Sequence, residues 1–344
     1  MESIVVHEDG TELAYLDSGP PFSETLSTYY TTIFAVHGIM FSSPIFQKVS
    51  VISRNAGIRF IAINRRGYKG STPFPDTDKD IFTQGTDTQK TEWLKSRGLE
   101  ISNFVNSFIS RENLPAISPE GKGGCVLLGW SMGCSFTMSA IAHIGDLPSS
   151  AQVLLASRLR AYILHDPPEI ALGLPTFPGH ALVLGPAMSE AARSRVITCW
   201  ITSYFQHSGL HTHDLHGLKV VPSIHRVPSV WNMSLTEAAY IIDTGSHNAF
   251  DGLLLSKCQP ETNAVYKAAI FDRVVRHQLP HMKSWLLIGS ASIPTCISSL
   301  WSIQDDDKAN GGDNISYKVL PGMNHFVHWD EPELTVNTYL EILS

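Results

Sequence analysis

Gly124-Cys125-Val126-Leu127-Leu128 runs directly into Gly129-Trp130-Ser131-Met132-Gly133, and helical sequence resumes at Met132 and continues to about Ile144. The first five residues read as a strand buried on both faces, since an uninterrupted apolar run needs cover above and below. The next five form a G-x-S-x-G set between a strand and a helix, the context that gives the motif its meaning. A tight strand-to-helix turn holds its central residue in a strained backbone conformation, and small flanking residues let strand and helix approach each other. The Ser131 hydroxyl then stands above the carboxyl edge of a sheet. The N–H of Met132, at the start of the helix, points where an oxyanion would form. Ser131 is read as a nucleophile, and the plainer alternative is a buried structural turn.

On either side the chain alternates strand and helix signals. Ile4–His7 and Leu13–Leu16 are short strands around the turn Glu8-Asp9-Gly10, a hairpin cue. Ile33-Phe34-Ala35-Val36 and Ile58–Asn64 are buried strands separated by a helix over Pro44–Asn55 that stops at Gly57. Asp87–Arg111 reads as helix interrupted near Gly98, and Ala161–Leu164 supplies the strand after the motif. The alternation then lapses for roughly 115 residues, far beyond an ordinary crossover. Helical pieces at Glu190–Phe205 and Ser234–Ile242 lie there among Pro, Gly and His. Trp285–Ile288 and Ile315–Leu320 restore the pattern before a last helix over Pro332–Leu343. Strands separated by helices imply a mostly parallel sheet covered on both faces. The expected organisation is a core built from 1–166 and 283–344, with 167–282 inserted as a mainly helical lid.

Composition narrows the partners. Of 344 residues, 25 are Lys or Arg and 32 are Asp or Glu, for a net charge of −7. Without a basic run, nucleic acid is an unsuitable partner. The acidic start Met1-Glu2-Ser3 does not suit a signal peptide. Ile170–Ser189, the longest charge-free stretch, contains three prolines and His180, and reads as a buried irregular segment rather than a membrane span. Five cysteines without a C-x-x-C pairing argue for a reducing compartment, with the cytosol as default. Cys134 reads as packing rather than a second nucleophile. His207, His211, His213, His216 and His225 crowd one part of the insertion, yet their spacing fits no metal-ligand pattern, so no metal is expected.

The landmarks in order resemble the α/β-hydrolase superfamily over nearly the whole chain. His37-Gly38-Ile39-Met40 is similar to the loop after the third strand of that fold. The resemblance places an oxyanion donor at the Ile39 N–H, with Met40 as the neighbouring alternative. Arg65-Arg66-Gly67-Tyr68-Lys69-Gly70-Ser71 looks like its R-G-x-G-x-S turn, read here as structural. Pro321-Gly322-Met323-Asn324-His325-Phe326-Val327-His328-Trp329 is similar to the segment carrying the catalytic histidine, which makes His325 the base and His328 structural. The chain departs from the commonest pattern where relatives place an acid as G-x-x-D. Gly289-Ser290-Ala291-Ser292 has serine instead. Other branches put the acid one strand earlier, which points to Asp166, with Glu169 and Asp305 as replacements. Asp166 sits at the carboxyl end of a strand and keeps the order Ser, Asp, His. A turn residue before two prolines is its plainer reading.

The resemblance implies a serine hydrolase acting on an ester, lactone or thioester of an apolar small molecule, without cofactor or metal. The pattern from Asn64 to Pro73, with the long lid, resembles mainly fungal hydrolases that tailor polyketides, and so suggests a secondary metabolite. Met40, Trp130, Tyr204 and Tyr240 are the expected pocket residues. The alternative is epoxide opening or cyclisation on a polyketide. Asp166 and His325 would then activate water or a substrate hydroxyl, with Tyr204, Tyr240 or Tyr266 as acid. A receptor without catalysis is the third class.

Overall fold

The structure is a computed structural model that describes residues 1–22, 29–177, 190–243, 245 and 247–344. Eight strands form one sheet: β1 (Glu2–Val5), β2 (Glu12–Asp17), β3 (Thr31–Val36), β4 (Ile58–Ile63), β5 (Cys125–Trp130), β6 (Leu159–His165), β7 (Lys283–Gly289) and β8 (Ser316–Leu320). Their order is β1-β2-β4-β3-β5-β6-β7-β8. β2 pairs antiparallel with β1 and β4, and every other pairing is parallel. The eight strands anticipated from the sequence are all present, with ends shifted by at most two residues.

Side-chain alternation along the central strands divides the core in two. Phe34, Val36, Leu127, Leu164 and Ile288 point to one face of the sheet, and Ile33, Ala35, Val126, Leu128 and Leu287 point to the other. All six positions of β3, β4 and β5 are buried, as strands covered by helices on both faces require. Parallel register aligns their carboxyl ends: Val36 pairs with Gly129, and His165 with both Trp130 and Leu287. The residues after β3, β5 and β6 therefore emerge at one edge.

One helix differs from expectation. Asp87–Glu112 runs unbroken through Gly98, opened by a capping box between Thr86 and Gln89. A Cβ at Gly98 would lie 2.5 Å from the carbonyl carbon of Ser139 and 2.6 Å from the nitrogen of Ala140. The glycine is there to let this helix cross the helix Gly133–Ala142 at close range, and apolar burial on both sides offsets its low helix propensity.

Between β6 and β7 lie helices Glu190–Ile201, Leu235–Ile241, His247–Lys257, Gln259–Phe271 and Arg273–Gln278. The first ends earlier than the sequence suggests, and Ser234 caps the second rather than joining it. Gln259–Phe271 packs on the helices Gly133–Ala142 and Asp87–Glu112, beside the sheet. Other parts reach over the sheet edge: Ser42 N donates to Ile241 O, and Asp243 N to Met40 O. Of the charge-free segment, residues 178–189 lie outside the described residues. Among the described residues, no helix is long and apolar enough to cross a membrane.

Candidate active site

β5 ends at Trp130, and the chain reverses into the helix Gly133–Ala142 within two residues. That turn puts Ser131 at φ +55°, a left-handed conformation that costs a non-glycine residue about 1–3 kcal/mol. The flanking glycines are required by space. A Cβ on Gly129 would sit 2.7 Å from Cys134 Cα, and one on Gly133 would sit 2.2 Å from the Val36 carbonyl oxygen.

Three side chains from three loops then meet. Ser131 Oγ lies 2.9 Å from His325 Nε2, and His325 Nδ1 lies 2.6 Å from Asp166 Oδ2. All three residues are buried. Asp166 comes directly after β6, itself at φ +54°, with its N–H donated to Leu287 O. Its carboxylate also accepts from the Ser292 hydroxyl and from Gly289 N at 3.3 Å. Ser292 is the residue that stands where many relatives carry the acid. That position instead donates a hydrogen bond to Asp166, which follows the neighbouring strand. No sequence signal marked Ser292 for that role. On the other side Trp130 Nε1 donates to His325 O, and Asn324 ties the histidine loop to Thr202 O and Ser229 Oγ.

Such a line of groups can remove a proton from the Ser131 hydroxyl and hold it on an imidazole that a carboxylate orients. Ile39 and Met132 border the same cavity, and neither backbone N–H has a partner among the described residues. The Met40 N–H is taken by Tyr68 Oη at 3.1 Å, which leaves Ile39 as the available donor of that loop.

The cavity above Ser131 holds about 170 Å³ and is walled by Phe41, Trp130, Ile170, Ile197, Trp200, Leu255 and Phe326 among others. Besides Ser131 and His325, only Thr295 adds a hydroxyl to the lining among the described residues. Of the residues expected in the pocket, Trp130 lines this cavity. Met40, Tyr204 and Tyr240 are not. Met40 is packed into the core, the Tyr204 hydroxyl donates to Asp330 Oδ2 at 2.6 Å, and Tyr240 is partly exposed. The walls contributed between β6 and β7 come instead from Pro168, Ile170, Ile197, Trp200, Ile201 and Leu255.

The profile of the alpha/beta hydrolase family matches residues 33–338, a span that takes in all of these groups. The chain belongs to that family. Among solved structures, this hydrolase is similar to the thioesterase domain from the curacin biosynthetic pathway, with 14% identity over 99% of each chain and a TM-score of 0.51. An esterase from Exiguobacterium antarcticum is 15% identical over 100% of this chain and 99% of that one, with a TM-score of 0.51. A laboratory-evolved variant of potato epoxide hydrolase is 14% identical over 99% and 98%, again at 0.51. At these identities the likeness is one of fold. No curated protein sequence matches the hydrolase significantly.

The remaining groups singled out from the sequence lie elsewhere in the hydrolase. His207 bonds Ser292 O and Lys219 N, and His213 stacks on Trp301. Among the described residues, the one cluster of ligating side chains within mutual reach is Asp166, Cys296 and His325, which is the hydrogen-bonded pair with a neighbouring thiol. His328 is buried against Trp130 and Phe46, and burial holds its pKa well below the usual value, so it stays neutral. Cys134 donates to Gly129 O inside the strand-to-helix turn. Asp305 is exposed on the surface beside His213.

Glu169 does not reach His325. One of its oxygens accepts from Phe177 N, and the other has no partner among the described residues. Burial raises its pKa from 4.5 to about 8. A raised carboxyl costs nothing below pH 4.5, where folded and unfolded chains both hold the proton. The cost grows as pH rises toward 8, because only the unfolded chain ionises. Glu169→Gln mimics the protonated acid and does not titrate. Its stability relative to the wild type is therefore expected to improve from pH 5 to pH 8 in chemical denaturation. An equal difference at both pH values would refute this.

Proposed function

We propose that this hydrolase cleaves an ester, lactone or thioester bond in an apolar small molecule through an acyl-enzyme on Ser131. The observation that carries the reading is the continuous hydrogen-bonded line from Ser131 Oγ through His325 to Asp166, opening into a cavity with apolar walls. His325 takes the hydroxyl proton as Ser131 Oγ attacks the substrate carbonyl carbon. The resulting oxyanion is held by the N–H groups of Ile39 and Met132, each contributing on the order of 3 kcal/mol. Collapse expels the leaving group, which receives the proton from His325. Water, deprotonated by the same imidazole, then releases the acid and restores Ser131. Asp166 keeps the imidazole in the tautomer that accepts from serine.

In this reading 167–282 forms the cap over a core made of 1–166 and 283–344, and shapes the acyl-binding wall. The pattern from Asn64 to Pro73 supports a polyketide-like secondary metabolite as substrate. The free thiols of all five cysteines suit a reducing compartment such as the cytosol. The epoxide alternative needs a proton donor beside the cavity. Tyr204 and Tyr266 instead donate to Asp330 and Asp306, and no tyrosine lines the cavity among the described residues. That favours the acyl-enzyme route.

Incubation with an alkyl fluorophosphonate, with intact-mass measurement and peptide mapping, is expected to show a single adduct on Ser131. Turnover is expected on p-nitrophenyl esters with short apolar acyl chains. No adduct, together with turnover of epoxides but not of esters, lactones or thioesters, would replace this reading with the epoxide route.

A further inference from the structure

The Ile39 N–H belongs to a peptide whose other end is held by a charged side chain. Arg65 Nη2 donates to Gly38 O at 2.9 Å, and Arg65 Nε donates to His37 O at 3.2 Å. The Gly38 carbonyl and the Ile39 N–H are the two poles of one planar trans peptide, so anchoring the oxygen sets the direction of the N–H on the opposite side. That loop abuts the nucleophile: a Cβ on Gly38 would lie 2.8 Å from Ser131 Cβ. The next N–H, of Met40, is pinned on Tyr68 Oη. These contacts thus bracket the Ile39 N–H on both sides.

Arg65 and Tyr68 are in turn held from outside the core strands. Asp251, on the helix His247–Lys257, accepts from Arg65 Nη1 at 2.8 Å on one oxygen and from Nη2 at 2.7 Å on the other. The Tyr68 hydroxyl donates to the same carboxylate at 2.7 Å, and Arg65 Nη2 also approaches Tyr68 Oη at 3.1 Å. Arg65 and Asp251 are 2% and 3% exposed. A bidentate fork fixes orientation as well as distance. A buried pair of this kind is poor evidence of a stabilising role, because desolvation opposes the attraction. Its geometry supplies another reason for it to exist.

We propose that Asp251 is a positioning residue for the oxyanion hole: by clamping Arg65 and Tyr68 it aims the Ile39 N–H at the reacting carbonyl, so the hole is complete only when the helix His247–Lys257 is seated. The inference rests on the acyl-enzyme reading. It makes the segment between β6 and β7 part of the rate-determining geometry as well as a wall of the cavity.

Asp251→Asn removes the charge that orients the guanidinium while keeping the size. On p-nitrophenyl butyrate, kcat is expected to fall about 10–100-fold with KM changed less than about threefold, since the donor acts on the oxyanion more than on the ground-state carbonyl. The affinity of an alkyl trifluoromethyl ketone, which adds Ser131 Oγ to its carbonyl carbon and leaves the oxygen as an oxyanion, is expected to fall by a similar factor. The corresponding alcohol should bind as it does to the wild type. A kcat within about threefold of wild type, or a fall in kcat without a parallel loss of trifluoromethyl ketone affinity, would overturn the proposal. If Asp251→Asn does not fold, Tyr68→Phe serves, since it keeps the bidentate pair and frees the Met40 N–H. About a tenfold fall with the same pattern is expected there, and unchanged kinetics would count against the clamp. Fluorophosphonate labelling separates the two readings. Failure to label Ser131 removes the acyl-enzyme premise, whereas labelling with unaltered Asp251→Asn kinetics removes the positioning role alone.

Discussion

Ser131→Ala is expected to lower kcat on p-nitrophenyl butyrate by about 10⁵-fold or more, the size of loss seen when a nucleophile acting as one unit with its base is removed. Among the described residues the Ser131 hydroxyl has one side-chain partner, His325 Nε2, and the cavity brings no other nucleophile to the same point. Cys134 is turned toward Gly129 O and Cys296 toward Asp166 O, and burial pushes both thiols well above their usual pKa. Neither replaces a lost serine. Stability should change little, because alanine inherits the same left-handed conformation and only one hydrogen bond is lost. The measurement is steady-state turnover beside a thermal melt. A variant retaining a tenth of wild-type kcat would rule out covalent catalysis at this residue.

Asp166→Asn is expected to cost about 10⁴-fold in kcat with substrate binding nearly unchanged, because an amide at this point favours the wrong imidazole tautomer. Asp166 Oδ2 accepts from both His325 Nδ1 and Ser292 Oγ. An asparagine that keeps its oxygen at the Oδ1 position, where it accepts from Gly289 N, presents its NH₂ to His325 at the Oδ2 position. The ring proton then moves to Nε2, and the imidazole no longer accepts from Ser131. Proton NMR of the wild type should show a downfield Nδ1–H resonance that is absent from the variant. Retention of that resonance, or a kcat within about tenfold of wild type, would assign the orienting role to another group.

The elements of the fold were legible because they rest on local rules. Apolar runs marked β3, β4 and β5, broken in β4 only by Arg59, and the glycines at 129 and 133 marked a close strand-to-helix turn that the structure shows to be sterically obligatory. The expected break at Gly98 failed for an equally physical reason. Propensity treats glycine as a helix breaker, but here a neighbouring helix needs the space. Motif, chain order and resemblance pointed to Ser131, Asp166 and His325, which the structure brings within hydrogen-bond reach of one another. Ser292 was not, since a lone serine in a loop carries no pattern until its partner is known.

The segment between β6 and β7 was the least readable. Amphipathic pieces suggested helices there but not what they face: of the tyrosines expected in the pocket, Tyr204 is bound to Asp330 and Tyr240 is exposed. The Arg65–Asp251 pair joins positions 186 residues apart, and neither member has a sequence feature pointing to the other.

By itself, then, the sequence determined the strand-and-helix order, the nucleophile turn and the three groups in register with the sheet's carboxyl edge, because spacing along a strand or turn fixes direction within a few residues. Only the tertiary structure decided which hydroxyl supports the acid, which side chains wall the cavity and how the Gly38–Ile39 peptide is aimed. Those depend on long-range contacts, where any of several similar side chains could have filled the space and packing selected one.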